Sequence, residues 1–209
     1  MWGVSTVRIE SASEPLVGDA ELVQAAATLV ARGAVMGFLP LGTSTLVLDT
    51  NLLSSLLVGL ADQGVSVRQL LARNTWTHAS VREAVSAALE QSEHSPMPLG
   101  EWPSLVSTLG EELLAQLLGV SVTSVHRYAA GSRPTPQLIA GRLHVLALIV
   151  ADLAGGYNEF GIRRWFTRAR PQLDGASPLE LLQHGWDPEG AEALQLRGLA
   201  AGLVGAGAT

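Results

Sequence analysis

The sequence predicts a mainly α-helical protein, and three observations predict it. Apolar residues recur at three- and four-residue spacing through most of the chain. Asp, Ser and Thr in N-capping positions open these stretches, and Gly or Pro closes them. A strand-like run appears at one place only, Leu46-Val47-Leu48. The composition agrees: of 209 residues 47% are hydrophobic and 15% charged, which is globular rather than disordered. There is no cysteine, so disulfides, thiol catalysis and cysteine-ligated zinc are excluded.

Residues 1–18 show no firm pattern and are expected to be a tail or a short strand. Asp19 suits the N-cap of a helix over Ala20–Ala31, where Leu22, Ala25, Ala26, Leu29 and Val30 share a face, with Gly33 expected to end it. Gly37–Thr45, with Pro40 and Gly42, reads as a loop, and Leu46–Leu48 as a strand or the start of a buried helix. Asn51–Leu60 and Val67–Ala72 follow as short helices with Gly64 between them. Thr77 or Ser80 opens a clearer helix to Gln91, with Val81, Ala84, Val85, Ala88 and Leu89 in register. Residues 19–95 thus form a helical N-terminal region to which the sequence assigns no role. Pro96, Pro98, Gly100 and Pro103 make Ser92–Pro103 the expected domain boundary. The tetrad Gly-Val-Ser-Val at Gly64 and again at Gly119 is too short to indicate duplication.

The segment Glu111–Ala130 meets the demands of a helix-turn-helix. Ala115 is small where a second helix must pack closely, and Gly119 tolerates the positive φ of a tight turn four residues later. Ser121 is suited to cap the second helix, Val125 to anchor it inward, and Tyr128 and Ala129 to continue that face. Leu114, Leu117 and Leu118 bury the first helix. The outward face then carries Val122, Thr123, Ser124, His126 and Arg127, short side chains and one arginine able to reach guanine O6 and N7 in a major groove. Ser121, Ser124 and Arg133 suit phosphates, which set register. Glu111 and Glu112 weigh against tight binding. Pro136–Leu153 is apolar on nearly all sides, as expected of a helix buried in a core or at a subunit interface.

The net charge is −6, yet it is unevenly distributed. Met1–Val120 carries five Arg against twelve acids, Ser121–Arg170 seven Arg against Asp152 and Glu159, and the remainder one Arg against five acids. A local +5 between acidic flanks is compatible with a polyanionic partner, because local charge sets phosphate contacts.

The stretch Gly119–Pro134, including the Gly131-Ser-Arg-Pro134 exit, resembles the helix-turn-helix of Xre-type regulators. Phe160–Leu182 is similar to the toxin-binding domain of Xre/MbcA/ParS-type antitoxins: an aromatic-ended helix, Pro, Leu-x-Gly-x-x-Pro and a Leu-rich helix, here Trp165, Phe166, Pro171, Leu173, Gly175, Pro178, Leu179, Leu181 and Leu182. Ser177 is placed to cap the last of these helices, with Pro178 in its first turn. The resemblance spans about Leu109–Gly202. It implies a helix-turn-helix domain over 101–155, a small helical toxin-binding domain over 156–203 and a tail at 204–209. It also implies double-stranded DNA with a palindromic operator, a homodimer, a RES-type NAD-degrading toxin as partner, and repression of the protein's own promoter. Toxin contacts would fall to Trp165, Pro171, Leu173, Gly175, Pro178, Leu181 and Leu182. The alternative is a stand-alone or phage-type repressor without a toxin.

An enzymatic reading rests on Leu46–Leu53, which resembles the opening strand of PIN-type nucleases, with Asp49 binding a divalent metal and Glu83 or Asp152 as further carboxylates. The alternating parallel strands of that fold are not evident, and Asp49 suits a turn or cap. Histidines 78, 94, 126, 144 and 184 have no close ligand spacing, and there is no Gly-rich phosphate loop. The expectation is a non-enzyme without cofactor or metal. Met1–Glu10 lacks signal-peptide character, and the apolar run Leu143–Val150 is well short of the roughly 20 residues that span a bilayer. A soluble protein of the reducing cytoplasm, not bound to membranes, is therefore expected.

Overall fold

In the computed structural model, which describes residues 8–39, 45–71, 75–183 and 185–206, two compact units are present, Ser5–Ser95 and Pro96–Thr209. The fold is mainly α-helical with one small parallel sheet.

In the first unit, β1 (Arg8–Ala12) pairs in parallel with β2 (Thr45–Leu48), with an irregularity between Ile9 and Ser11. Residues 8–12 are therefore a strand rather than a tail, and Leu16 beyond them is buried. Pairing with β2 decides this, and no local periodicity announces it. Helix α1 (Ala20–Met36) is capped by Asp19, whose carboxylate accepts the Leu22 N–H (3.0 Å). The same carboxylate binds His78 Nε2 (2.8 Å) and pairs with Arg82.

Gly33 does not end α1. The helix runs to Met36 and stops at Gly37, which takes φ 77°. Gly33 sits inside because its carbonyl accepts from Gly37, Phe38 (3.0 Å) and Leu39 (2.9 Å), and a Cβ there would lie 2.9 Å from Leu56. The glycine is a packing contact, and the helix stop follows one turn later. Of the expected Gly37–Thr45 loop, residues 40–44 lie outside the described residues.

Helix α2 (Thr50–Asp62), the short α3 (Arg68–Leu71) and α4 (His78–Glu93) complete this unit. Thr77 caps α4 in a reciprocal pair with Ser80. Arg32 of α1 donates to the Leu89 carbonyl (2.9 Å), to Ser92 Oγ (3.1 Å) and to Glu93 (2.6 Å), so one guanidinium ties α1 to the C-terminal turn of α4.

In the second unit, α5 (Pro98–Leu109) starts inside the stretch expected to be the domain boundary. Pro98 occupies the first turn, where its missing N–H costs nothing, and Pro103 interrupts a bond only to Leu99, whose surroundings are solvent. After α5 come α6 (Glu111–Leu118), α7 (Val122–Ala129), α8 (Gln137–Ala154), α9 (Glu159–Thr167), a 3-10 turn at Pro171–Leu173, α10 (Pro178–Leu181) and α11 (Ala191–Ala206).

Helix α8 is the axis of this unit and packs against α5, α6, α9 and α11. By length and composition it could cross a membrane, but 67% of it is buried inside the fold, as in a core helix. Residues 101–155 and 156–203 consequently share one core. Helix α11 carries the helical C-terminal region through the Gly- and Ala-rich end to Ala206, into residues expected to be a tail, with Ala193, Leu196 and Ala200 buried. Small side chains let it approach α8 closely, so its composition reflects packing and not a tail.

Candidate nucleic-acid interface

The helix-turn-helix segment is built as its residues dictate. Gly119 ends α6 in the left-handed conformation (φ 70°, ψ 36°), and the Val120 N–H returns to the Ala115 carbonyl (3.0 Å). A residue with a Cβ would be strained there. Ser121 then caps α7 by accepting the Ser124 N–H (3.2 Å), which turns the chain into the second helix within two residues of the glycine. Leu114, Ala115, Leu117, Leu118, Val125 and Tyr128 are all buried, and Ala129 is half-buried.

Thr123, His126 and Arg127 are exposed on α7, and Val122 and Ser124 half-exposed. The seven positions expected to meet DNA thus include six on or capping one helix, with Ser121 exposed at its start. Arg133 lies just beyond, its guanidinium 5.6 Å from the centre of the Tyr128 ring. The Gly131–Pro134 exit owes its geometry to Gly131 (φ 66°) and to the Arg127 carbonyl, which accepts from the Arg133 N–H (3.2 Å) and the Ser132 hydroxyl (3.1 Å).

His126 is not a free contact. Its Nε2 lies 2.9 Å from Glu111 Oε2, so the first helix's leading carboxylate is held against the outward face of the second. The histidine remains 60% exposed. Over 111–130 the charges are Glu111, Glu112 and Arg127, a net −1.

Two residues that the sequence reading missed hold this motif from behind. Arg142 on α8 donates Nε to the Trp186 carbonyl (2.7 Å) and Nη1 to the Leu118 carbonyl (3.0 Å). The Trp186 ring N–H donates to the Leu117 carbonyl (2.7 Å), and the guanidinium lies over that ring. The last carbonyls of α6 therefore end on two buried donors. Burial lowers the Arg142 pKa and Asp187 partly offsets this. The available signal was an arginine in the middle of an otherwise apolar helix.

A second buried polar pair, Glu101 Oε1 and His144 Nδ1 at 2.6 Å, links α5 to α8, and Glu101 Oε2 has no hydrogen-bond partner among the described residues. Trp102 stacks on Tyr128 (5.6 Å) and donates to Thr135 Oγ1 (2.9 Å), fixing α7 against α5.

The proposed toxin contacts divide. Trp165, Leu173, Pro178 and Leu182 are buried in the unit's own core. Leu181 is half-buried, and Pro171 and Gly175 are exposed. Gly175 takes φ 86° after Asp174 at φ 53°, in a turn closed by Arg170 N–H to Ala176 O (2.9 Å). Arg170 lies on the Trp165 ring (4.6 Å), and burial lowers its pKa. The Leu-x-Gly-x-x-Pro spacing is thus explained by backbone geometry and burial. Ser177 does cap α10, in a reciprocal pair with Glu180. However, α10 is a single turn and α11 is the last helix.

Asp49, the candidate metal ligand, is the N-cap of α2 and accepts the Leu52 N–H at 2.7 Å. Glu83 lies on α4 and Asp152 on α8. Among the described residues no group of three His, Asp or Glu side chains is arranged to hold a metal ion. Comparison with protein-family models, curated proteins and solved structures returns no match to the chain.

Proposed function

We propose that the chain is a cytoplasmic, homodimeric DNA-binding regulator that reads a palindromic operator through α7. We further propose that it is the antitoxin of a type II pair, neutralising a RES-type NAD-degrading toxin and repressing its own promoter. The observation that carries DNA reading is the coincidence at 119–127: a left-handed glycine, a capping serine, buried Val125, and Thr123 and Arg127 outward. This presents short side chains and one arginine to a groove. The antitoxin part rests on the similarity of Phe160–Leu182 to toxin-binding domains, including the αL glycine and the Pro-opened helix.

A stand-alone repressor is the second reading, favoured by the burial of Trp165, Leu173, Pro178 and Leu182, which gives those motif positions a structural use. Sequencing genomic fragments retained by the purified protein tests both readings. The expected result is enrichment of a short inverted repeat; no enrichment over input overturns DNA reading. Co-expression with the protein encoded beside its gene is expected to yield a stable complex and restore cellular NAD. Operator enrichment without a toxic neighbour leaves the repressor.

A further inference from the structure

The helix-turn-helix cannot supply its own electrostatic attraction. Residues 111–130 carry a net −1, and Glu111 and Glu112 stand in the first turn of α6, where a duplex backbone would pass. Affinity for nucleic acid comes mainly from phosphate neutralisation, so cations beyond Arg127 and the exit residue Arg133 must come from outside the motif. The densest group of cations follows in the sequence on and after α9: Arg163, Arg164, Arg168 and Arg170. Arg170 is committed to the Trp165 ring and carbonyl.

Arg163 fixes where α9 sits. Its Nε donates to the Thr108 carbonyl (2.6 Å) and its Nη2 to the Ser107 carbonyl (3.0 Å). These carbonyls belong to the last turn of α5, and only Leu109 and Gly110 separate them from Glu111, the residue bonded to His126 of α7. A continuous run of contacts therefore leads from α9, across the α5–α6 junction, to the outward face of α7. Arg163 is still 45% exposed, with Glu159 3.9 Å away, and Arg164 beside it is exposed with no carboxylate partner among the described residues.

We infer that the DNA-binding surface extends onto α9, where Arg163 and Arg164 contact backbone phosphates flanking the site read by α7. Arg164 supplies the exposed cation, while Arg163 both anchors α9 and offers its remaining N–H groups. The inference rests on the DNA-reading proposal, and its test separates the two.

The experiment measures binding of the full chain and of Arg164→Ala and Arg127→Ala to a 30-bp random-sequence duplex and to the enriched operator, across a salt series. Circular dichroism checks that each variant is folded. Arg164→Ala is expected to make the plot of log K against log salt shallower by about 0.9. It should weaken both duplexes by the same factor, leaving the operator-to-random ratio unchanged. Arg127→Ala should instead lower that ratio. An unchanged slope for Arg164→Ala, in a protein that still prefers its operator, overturns the extension onto α9 and leaves DNA reading intact. Failure of the wild type to bind either duplex at low salt overturns both.

Discussion

At the residue scale, Arg127 and Glu180 carry the sharpest consequences. Arg127 is the only arginine on α7, exposed, with a backbone carbonyl that already shapes the Ser132–Arg133 exit. Its side chain can be removed without touching that carbonyl. Arg127→Ala is expected to cost about 1–3 kcal/mol of operator binding, measured by fluorescence anisotropy, with an unchanged melting temperature. Glu180 illustrates a capping carboxylate with a definite pH dependence. The Ser177 N–H (2.7 Å) and hydroxyl (2.8 Å) both donate to it, the backbone donor mattering most, and its pKa is lowered. A carboxyl that holds its proton less tightly when folded adds stability above the ordinary carboxylate range and loses it as pH falls through that range. Melting temperatures of wild type and Glu180→Gln should therefore differ at neutral pH and converge in acid. The Ser177 cap and the Pro178 turn were legible in the sequence, because capping is decided within three residues.

At the scale of elements, α8 does more than its apolar sequence indicates. It carries Arg142, which closes α6, and His144, which meets Glu101 of α5. Removing one partner of a buried pair strands the other, whereas removing both leaves only apolar surface. His144→Leu and Glu101→Leu are each expected to cost about 3–5 kcal/mol in urea unfolding, and the double variant much less than their sum. Additive losses would show that the two side chains act separately. The same logic explains which helices were readable. Helices α4 and α7 have capped starts and one buried face, so spacing alone defines them. Helix α5 begins among prolines and holds Pro103 inside it, so propensity points away from it, whereas the Ala- and Leu-rich α11 follows propensity despite its glycines. Packing against α8 decides α5 instead.

For the whole molecule, the division into two units separates stability from the proposed DNA surface. Every residue assigned to that surface lies in Pro96–Thr209, while the core of Ser5–Ser95 is built around side chains such as Leu29, Leu57 and Leu60. Leu57 is completely buried, and Leu57→Ala is expected to destabilise the first unit by about 2–5 kcal/mol. Its operator affinity should match that of the wild type at temperatures where the second unit remains folded. A parallel loss of affinity would assign the first unit a part in DNA binding. The net charge of −6 hides an uneven distribution, because seven of the thirteen arginines fall within 127–170 of the sequence while the acids are spread over the chain.

The sequence by itself determined the helical class, the turn at Gly119, the cap at Ser121 and the outward set on α7. Each depends on φ preference, a side-chain bond three residues away, or a period of 3.6 residues. Only the tertiary structure decided that residues 8–12 pair as a strand, that Gly33 lies inside a helix, and that the C-terminal segment shares a core with the helix-turn-helix. It also decided that Trp165, Leu173, Pro178 and Leu182 serve that core, and that α9 is anchored at the end of α5. These outcomes depend on contacts between residues tens of positions apart, which no local pattern encodes.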